Sequence, residues 1–411
     1  MRNQTRWRSC LIPLSVAIGS PGLLTTLVAL SLGASVADIG VMTATAATAT
    51  IVFSVVWGRL SDRSGRRKRY LLFFSIALGP IFLALSMANA VPQLILLYTL
   101  LTGITSGVAP IATTYTAECS QGRNWQGEVA KYNSIMSLGN ISGLATYTVL
   151  AQFYETRRLF YISSAMCFLS ALLLWKNAQE TEITLERHPL RARGFHDVEK
   201  LLSLKPVLHR LDVRRLKPPK NLKQLKPLQL LFLAAFVHWT GIYFMSVGQT
   251  PLMKALGLSD SLILAINTAG GITLTIAFVR IAPQIKSSHK GLLNRVVAVR
   301  GGLMLCWAAL PVFLFHQVSF VFIFPLAISI AFNICYAIIW LRLTTFAISQ
   351  APEGHKGSVQ GELLSAAGAA NAVGSALGGL AITAYGYTLG FVLAFIIAML
   401  AIPILSRINI T

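Results

Sequence analysis

The sequence predicts an all-α membrane protein of twelve transmembrane helices, built as two pseudo-symmetric six-helix bundles. Three observations carry that prediction: an apolar composition, a regular series of apolar runs of spanning length, and basic residues confined to alternate connectors. Of 411 residues, 55% are hydrophobic and only 12% are charged, against about 25% charged in soluble domains. Mean hydropathy is +0.64. A soluble chain of this composition would lack the polar atoms to cover its surface, so lipid must cover part of it.

A bilayer-spanning helix takes about 20 mainly apolar residues. In the first half such runs lie at 10–31, 37–60, 70–90, 93–115, 129–151 and 158–176; in the second they lie at 228–250, 259–281, 293–315, 318–341, 359–383 and 388–407. The first run follows Arg2, Arg6 and Arg8, which is the charge pattern of a signal peptide. It is long enough to span and further spans follow, so it reads as an uncleaved first helix. The second run is the least apolar, because Thr43, Thr45, Thr48 and Thr50 alternate with alanines; small residues of this kind suit close helix packing. The runs are too long for barrel strands and lack their period-two alternation. Cys10, Cys119, Cys167, Cys306 and Cys335 are scattered without CxxC spacing and read as small apolar packing residues.

Charge fixes the orientation. With both termini cytoplasmic, 32 of the 35 Lys and Arg fall on the inner side, and only Arg157, Arg158 and Lys254 fall outside. This is a strong positive-inside signal and predicts a multi-pass protein of the cell membrane. It also accounts for the net charge of +21 without a nucleic-acid partner. Arg300 and Arg342 sit within a few turns of the inner face and are expected to snorkel there.

The spans divide into residues 1–176, a basic linker at 177–227 containing Pro189, Pro206, Pro218, Pro219 and Pro227, and residues 228–411. Within the linker, Phe195 to Leu211 shows some helical periodicity that suits an anionic leaflet; a flexible solvated segment is the other reading. The halves echo each other. Leu32-Gly33-Ala34-Ser35, before the second helix, recurs as Leu256-Gly257-Leu258-Ser259, before the eighth. Thr113-Thr114-Tyr115, ending the fourth helix, recurs as Thr344-Thr345-Phe346, ending the tenth. Parallel repeats of this sort point to a molecule that rocks about a site between its halves.

Between the second and third helices stands Gly58-Arg59-Leu60-Ser61-Asp62-Arg63-Ser64-Gly65-Arg66-Arg67-Lys68-Arg69. It closely resembles the G-x-L-[SA]-D-R-x-G-R-[RK] loop of the major facilitator superfamily, in the loop where that family carries it. With twelve spans and a long central linker, the resemblance extends over nearly the whole chain. In physical terms, Gly58 permits close helix approach and Gly65 a tight turn, while Asp62 is a lone carboxylate among six basic residues whose charge its neighbours hold. The resemblance implies that Asp62 faces the N-terminal end of the eleventh helix near Gly357 and Ser358, where the helix dipole favours a carboxylate. A latch that opens inward is one reading of this loop; an anchor acting by charge alone is the other. The matching second-half loop, Arg280 to Arg295, is degenerate, with Lys286 where the offset puts Asp62. The resemblance also implies that Glu118 pairs with Arg63 or Arg66 and ties the loop down.

Gly139 and Gly143 form a GxxxG pair in the fifth helix, and Gly374 and Gly378 another within Gly374-Ser375-Ala376-Leu377-Gly378-Gly379 in the eleventh. They are similar to the antiporter signature of drug-efflux members, although its proline is missing beside Gly143. Close packing of the two halves is the plainer reading. Intramembrane ionisable residues are functional candidates, and all 14 acidic residues lie in loops or near helix ends. The arginine that proton-coupled relatives often carry in the fourth helix is absent, and Thr99 stands near its place. His238, in the middle of the seventh helix, is a candidate for a coupling proton or a hydrogen-bonded structural residue. Trp239, Tyr243, Gln249, Asn267, Asn333, Trp340 and Asn371 are candidates for a substrate cavity, the amides serving equally as interhelical glue.

Such a cavity suits an amphipathic or neutral solute, whereas a phosphate or dicarboxylate would want a deeper Arg or Lys. The resemblance therefore implies a secondary transporter of the drug-efflux-like branch, working by rocker-switch alternating access and exporting an amphipathic or lipophilic compound. A sugar-like or lipid-like solute, or a non-transporting receptor or scaffold on the same fold, are the alternatives. HExxH, CxxC, GxSxG and GxxxxGK[ST] are missing from the sequence, so neither an enzyme nor an ATP-driven pump is expected. The expected molecule is a monomer in the lipid bilayer, binding a small-molecule substrate without metal or cofactor.

Overall fold

A computed structural model describes residues 6–119, 125–180, 227–281, 291–313, 318–351 and 356–408. The linker expectations, including Phe195 to Leu211, and Lys286 lie outside the described residues. Helices make up the described chain: α1 Ile12–Ile18, α2 Pro21–Ser31, α3 Val36–Ser64, α4 Arg67–Met87, α5 Val91–Thr105, α6 Val108–Cys119, α7 Trp125–Leu150, α8 Leu159–Asn177, α9 Pro227–Ala255, α10 Asp260–Ile276, α11 Leu292–Phe313, α12 Val318–Ser349, α13 Lys356–Met399 and α14 Ala401–Leu405. Pro21 breaks the first crossing into α1 and α2, and α5 and α6 together make the fourth. A π turn, Ala277–Ile281, extends α10.

Ten stretches among the described residues are long and apolar enough to cross a membrane. One of them, Val359–Leu405, is 47 residues long and contains Gly386 at φ 81° and ψ 171°, a conformation that interrupts a helix and is open to glycine. It therefore supplies two crossings. The 26 residues of α7 also have the length, but Glu128, Lys131, Asn133 and Asn140 dilute their hydropathy. The helices are thus consistent with twelve crossings.

The sequence repeat is a repeat of backbone geometry. Gly33 and Gly257 take φ of 83° and 85°. Each is followed by the same tie, Ala34 N–H to Ala29 O at 3.0 Å and Leu258 N–H to Met253 O at 3.1 Å, a helix-ending motif that glycine permits. Ser35 and Ser259 then cap the next helix, accepting from the N–H of Asp38 and of Leu262.

Side-chain ties gather one end of the first half. Arg8 pairs with Glu128, Arg67 with Glu118, and Lys68 Nζ donates to Trp175 O at 3.3 Å. These contacts bring the Arg6–Leu11 turn, the α3–α4 turn, the end of α6, the start of α7 and the end of α8 to a single face, here called the basic face.

The GxxxG pairs do not join the halves. A Cβ on Gly139 would lie 1.8 Å from Ser15 Oγ and one on Gly143 2.4 Å from Val16 O, both on α1. A Cβ on Gly374 would lie 2.5 Å from Thr240 O and one on Gly378 2.2 Å from Phe244 O, both on α9. Each pair packs inside its own half, in matching positions, which corrects the expectation of inter-half packing. The halves meet through other residues. A Cβ on Gly40 would come 2.6 Å from Ser375 O and 2.8 Å from Gly379 Cα. The hydroxyls of Thr148 and Thr268 lie 3.0 Å apart, and Thr156 Oγ1 donates to Asp260 Oδ2 at 2.5 Å. Ile39, Met42 and Val247 close a small apolar cluster nearby. These contacts all lie toward the far face.

Candidate functional site

At the basic face the loop motif folds around one arginine. Gly65 ends α3 at φ 63° and ψ 7°, with its N–H bonded to Ser61 O at 2.9 Å; this is the tight turn expected of it. The chain then brings Arg67 back beneath α3, where its residue is only 1% exposed. Arg67 Nη1 donates to Ser61 Oγ at 2.5 Å, Nη2 donates to Asp62 Oδ1 at 2.8 Å, and Nη2 and Nε donate to Glu118 Oε1 at 3.3 and 3.4 Å. A planar five-donor fork can serve three acceptors at once, as an ammonium cannot in this geometry. Glu118 is thus held by Arg67, where Arg63 or Arg66 was expected; both of those are exposed. The Asp62 side chain is 68% exposed, so one oxygen is engaged and the carboxylate otherwise faces open space.

Gly58 does not make the close approach expected of it, since a Cβ there would meet nothing within 4 Å among the described residues. The reason is a splay between helices. α3 and α13 run antiparallel, touching at Gly40–Gly379 and, near mid-depth, at Ile51–Gly368, where a Cβ on Gly368 would lie 3.1 Å from Ile51 Cγ1. At 3.6 residues per turn, Gly58 stands five turns along α3 from Gly40 and therefore on the same face. Gly361 stands five turns along α13 from Gly379, and it too meets nothing within 4 Å. Among the described residues, then, the two helices touch at Gly40–Gly379 and at Ile51–Gly368 and not at Gly58 or Gly361.

Deeper in the second half, an aromatic wall forms between α9 and α12. Phe332, Tyr336 and Trp340 recur every four residues along one face of α12. Tyr336 and Trp340 stack with planes 3° apart. Trp239 meets them edge-on, at 5.1 Å from Tyr336 and 6.0 Å from Trp340, and Tyr243 lies 6.2 Å from Trp239. The π turn after α10 sets Phe278 edge-on to Tyr336. Tyr243, Tyr336 and Trp340 are half-buried, so the wall has an open side.

Arg300 of α11 lies behind this wall and does not snorkel. It is 2% exposed, with Cζ 4.2 Å from the Phe332 ring centre, 5.0 Å from Trp239 and 5.4 Å from Tyr336. Its Nη1 stands 3.3 Å from His238 Nε2. Guanidinium has no acceptor, so Nε2 of the imidazole accepts. Desolvated cation–π contacts are worth about 2 kcal/mol each, against several kcal/mol for taking a guanidinium out of water. The rings offset much of that cost, but they leave Arg300 Nε without a partner, and Trp239 Nε1 is likewise unpartnered. The sequence holds no Asp or Glu between Asp260 and Glu353 or between 213 and 259, so α9, α11 and α12 contain no carboxylate to neutralise the charge.

Of the cavity candidates, the structure brings together Trp239, Tyr243 and Trp340, with His238 behind them. Asn267 Nδ2 donates to Ile263 O at 2.9 Å and Asn333 Nδ2 to Ser329 O at 2.9 Å, each within its own helix. Asn333 also packs on Gly270, whose Cβ would lie 2.9 Å from its Nδ2. Asn371 accepts from Ser375 Oγ at 2.9 Å on α13. Gln249 lies nearly two turns beyond Tyr243, toward the end of α9 away from the wall. Phe332 and Tyr336 are the wall residues that sequence reasoning missed, and Arg300 behind them was expected at the inner face. The four-residue spacing of Phe332, Tyr336 and Trp340 was a legible signal; Arg300 was judged by its distance from a loop. A separate groove of about 600 Å³ between α3, α5 and α13, lined by Thr48, Val52, Thr99 and Val373 among others, holds no ionisable side chain.

A family model for the major facilitator superfamily matches residues 9–361. The chain belongs to the major facilitator superfamily. Solved structures of similar fold include the nucleoside transporter NupG, with a TM-score of 0.70 at 14% identity over 100% of both chains. The human organic anion transporter MFSD10 gives 0.62 at 18% identity, over 98% of this chain and 99% of that one. A bacterial homolog of the human lysosomal transporter Spinster gives 0.67 at 14% identity, over 98% and 94%. No curated protein sequence matches this superfamily member. At these identities the structural likeness speaks to fold alone.

Proposed function

We propose that this protein is a secondary transporter that exports a small amphipathic solute by rocker-switch alternating access. Residues 1–176 and 228–411 are the rocking units, 177–227 is their tether, and the basic face is cytoplasmic. The observation that carries the reading is the α3–α13 pair, joined at Gly40–Gly379 and parted at Gly58 and Gly361. One pair of glycine faces is docked while its counterpart five turns away is open, as expected of a molecule caught facing inward. Rocking would dock the second pair and part the first. In that docked state the half-open Asp62 carboxylate would approach the start of α13, and the Arg67 clasp would hold it in place for this contact. The parting opens the interior to the basic face, the state in which an exporter loads and an importer releases, so the choice of efflux rests on the sequence resemblance to drug-efflux members.

The aromatic wall supports an amphipathic substrate, since flat apolar rings carry a large contact area. The lone pair of His238 Nε2 is engaged by Arg300, so we assign it no coupling proton. The names of structural neighbours, transporters of nucleosides and of organic anions, support small-molecule transport in general. No covalent step is proposed. The test uses purified protein screened for thermal stabilisation by a solute panel, since a ligand of the native state raises apparent stability, followed by counterflow of the hits in proteoliposomes. Counterflow of an aromatic amphipath above protein-free vesicles is expected. Exchange of sugars alone would overturn the substrate class, and binding with no exchange of any solute would leave a scaffold on a transporter fold.

A further inference from the structure

From Arg300 behind the aromatic wall and Trp239 within it, we propose that the transported solute is anionic. Arg300 anchors its carboxylate, or a like monoanionic group, while its apolar body lies on Tyr336 and Trp340. This deepens the transport reading and rests on it.

Three observations converge. First, Arg300 is a buried cation with no carboxylate along α9, α11 or α12, and ionisable groups inside a membrane protein are characteristically paired or functional. Second, the unpartnered atoms are donors. Arg300 Nε and Trp239 Nε1 are both buried and unbonded, neither can accept, and Arg300 Cζ lies 5.0 Å from the Trp239 ring centre. Two orphaned donors beside a positive charge match an anionic acceptor; a neutral amide or sugar would leave the charge uncompensated. Third, Tyr336 touches both parts of the site, 5.4 Å from Arg300 Cζ on one side and stacked on the half-buried Trp340 on the other. The anion anchor and the apolar slab are therefore contiguous. His238, accepting from Nη1, occupies one end of the guanidinium and leaves Nε to the ligand. His238 is thus a positioning residue for the anchor.

The test measures binding of 1-naphthoate and of neutral 1-naphthamide to the purified full-length protein, by thermal shift and by equilibrium dialysis at constant ionic strength. Wild type should bind the carboxylate at least about tenfold more tightly than the amide, the size expected of a charge-assisted hydrogen bond. Arg300→Gln should abolish that preference. Should Arg300→Gln fail to fold, Arg300→Met removes the buried charge and leaves an apolar side chain of similar length in its place. It should lose the preference for naphthoate to the same extent. No preference for the carboxylate in wild type, or a preference that survives both substitutions, would overturn the anchor and leave the cage as a structural clamp of α9, α11 and α12. Binding needs no turnover, so the two readings fail separately. A carboxylate preference without counterflow of any solute would sink the transport reading and leave the anchor standing. Counterflow of neutral amphipaths without a carboxylate preference would do the reverse.

Discussion

At the basic face, Arg8 and Glu128 form an ion pair in which the arginine side chain is 6% exposed and the carboxylate 19%. Glu128 also accepts from Lys131 Nζ at 2.9 Å. Hydrogen bonds from Lys131 and then Arg8 hold the Glu128 carboxyl below its ordinary value of 4.5. A carboxylate depressed on folding stabilises the native state above its ordinary pKa, and that contribution is lost as pH falls through the folded value. The wild-type melting temperature should therefore fall more steeply below pH 4.5 than that of Glu128→Gln, whose curve should already lie lower, by about 2 °C, at pH 7. Parallel curves from pH 7 to pH 3 would show that the pair does not stabilise the fold. The role of Arg8 follows from its place. With Trp7 packed edge-on against Tyr115 at 4.4 Å, it fastens the first crossing to the starts and ends of its neighbours. The sequence presents Arg8, Arg67 and Arg300 as three members of one basic population; the structure makes them a strut, a clasp and a buried cation.

Among the elements, glycines fall into two groups that the sequence does not separate. At Gly143 and Gly378 a neighbouring backbone oxygen occupies the space of a Cβ. Alanine there must push helices apart, and overpacking of this kind costs about 1–3 kcal/mol. Gly378→Ala should lower the melting temperature by about 2–5 °C. Gly58 and Gly361 have empty space in its place. Gly58→Ala should leave the melting temperature unchanged yet, on the proposed rocking motion, slow counterflow, because the added methyl would meet α13 only when the basic side closes. Equal loss of stability at positions 58 and 378 would contradict this separation.

For the whole molecule, the decisive quantity is the separation of the halves at each face. Cysteines placed at 148 and 268, whose native hydroxyls lie 3.0 Å apart on the far side, in a background lacking the five native cysteines, should cross-link readily in detergent and slow counterflow, since the proposed rocking parts that pair. Cysteines at 58 and 361 should cross-link only slowly in the resting protein and faster during turnover. Rapid cross-linking of both pairs in the resting protein would exclude the splay and with it the rocking motion. Thr148 to Thr268 and Thr156 to Asp260 both join the halves on the far side, and the proposed rocking would break both.

The sequence by itself determined the solvent, the crossings and the halves. Apolar runs of spanning length and basic connectors are one-dimensional signals, because lipid demands them of each helix separately. The paired Leu-Gly-x-Ser turns were legible for the same reason: a positive-φ glycine and a capping serine act within a few residues. The loop motif was readable as a turn and a charge cluster. Only the tertiary structure decided which arginine clasps Glu118, which glycines join halves and which join helices within a half, and that Arg300 lies behind an aromatic wall rather than at the surface. These are properties of contact between segments far apart in the chain. A helix face acquires its partner from packing, and a guanidinium two turns inside a helix is solvated or caged according to what surrounds it.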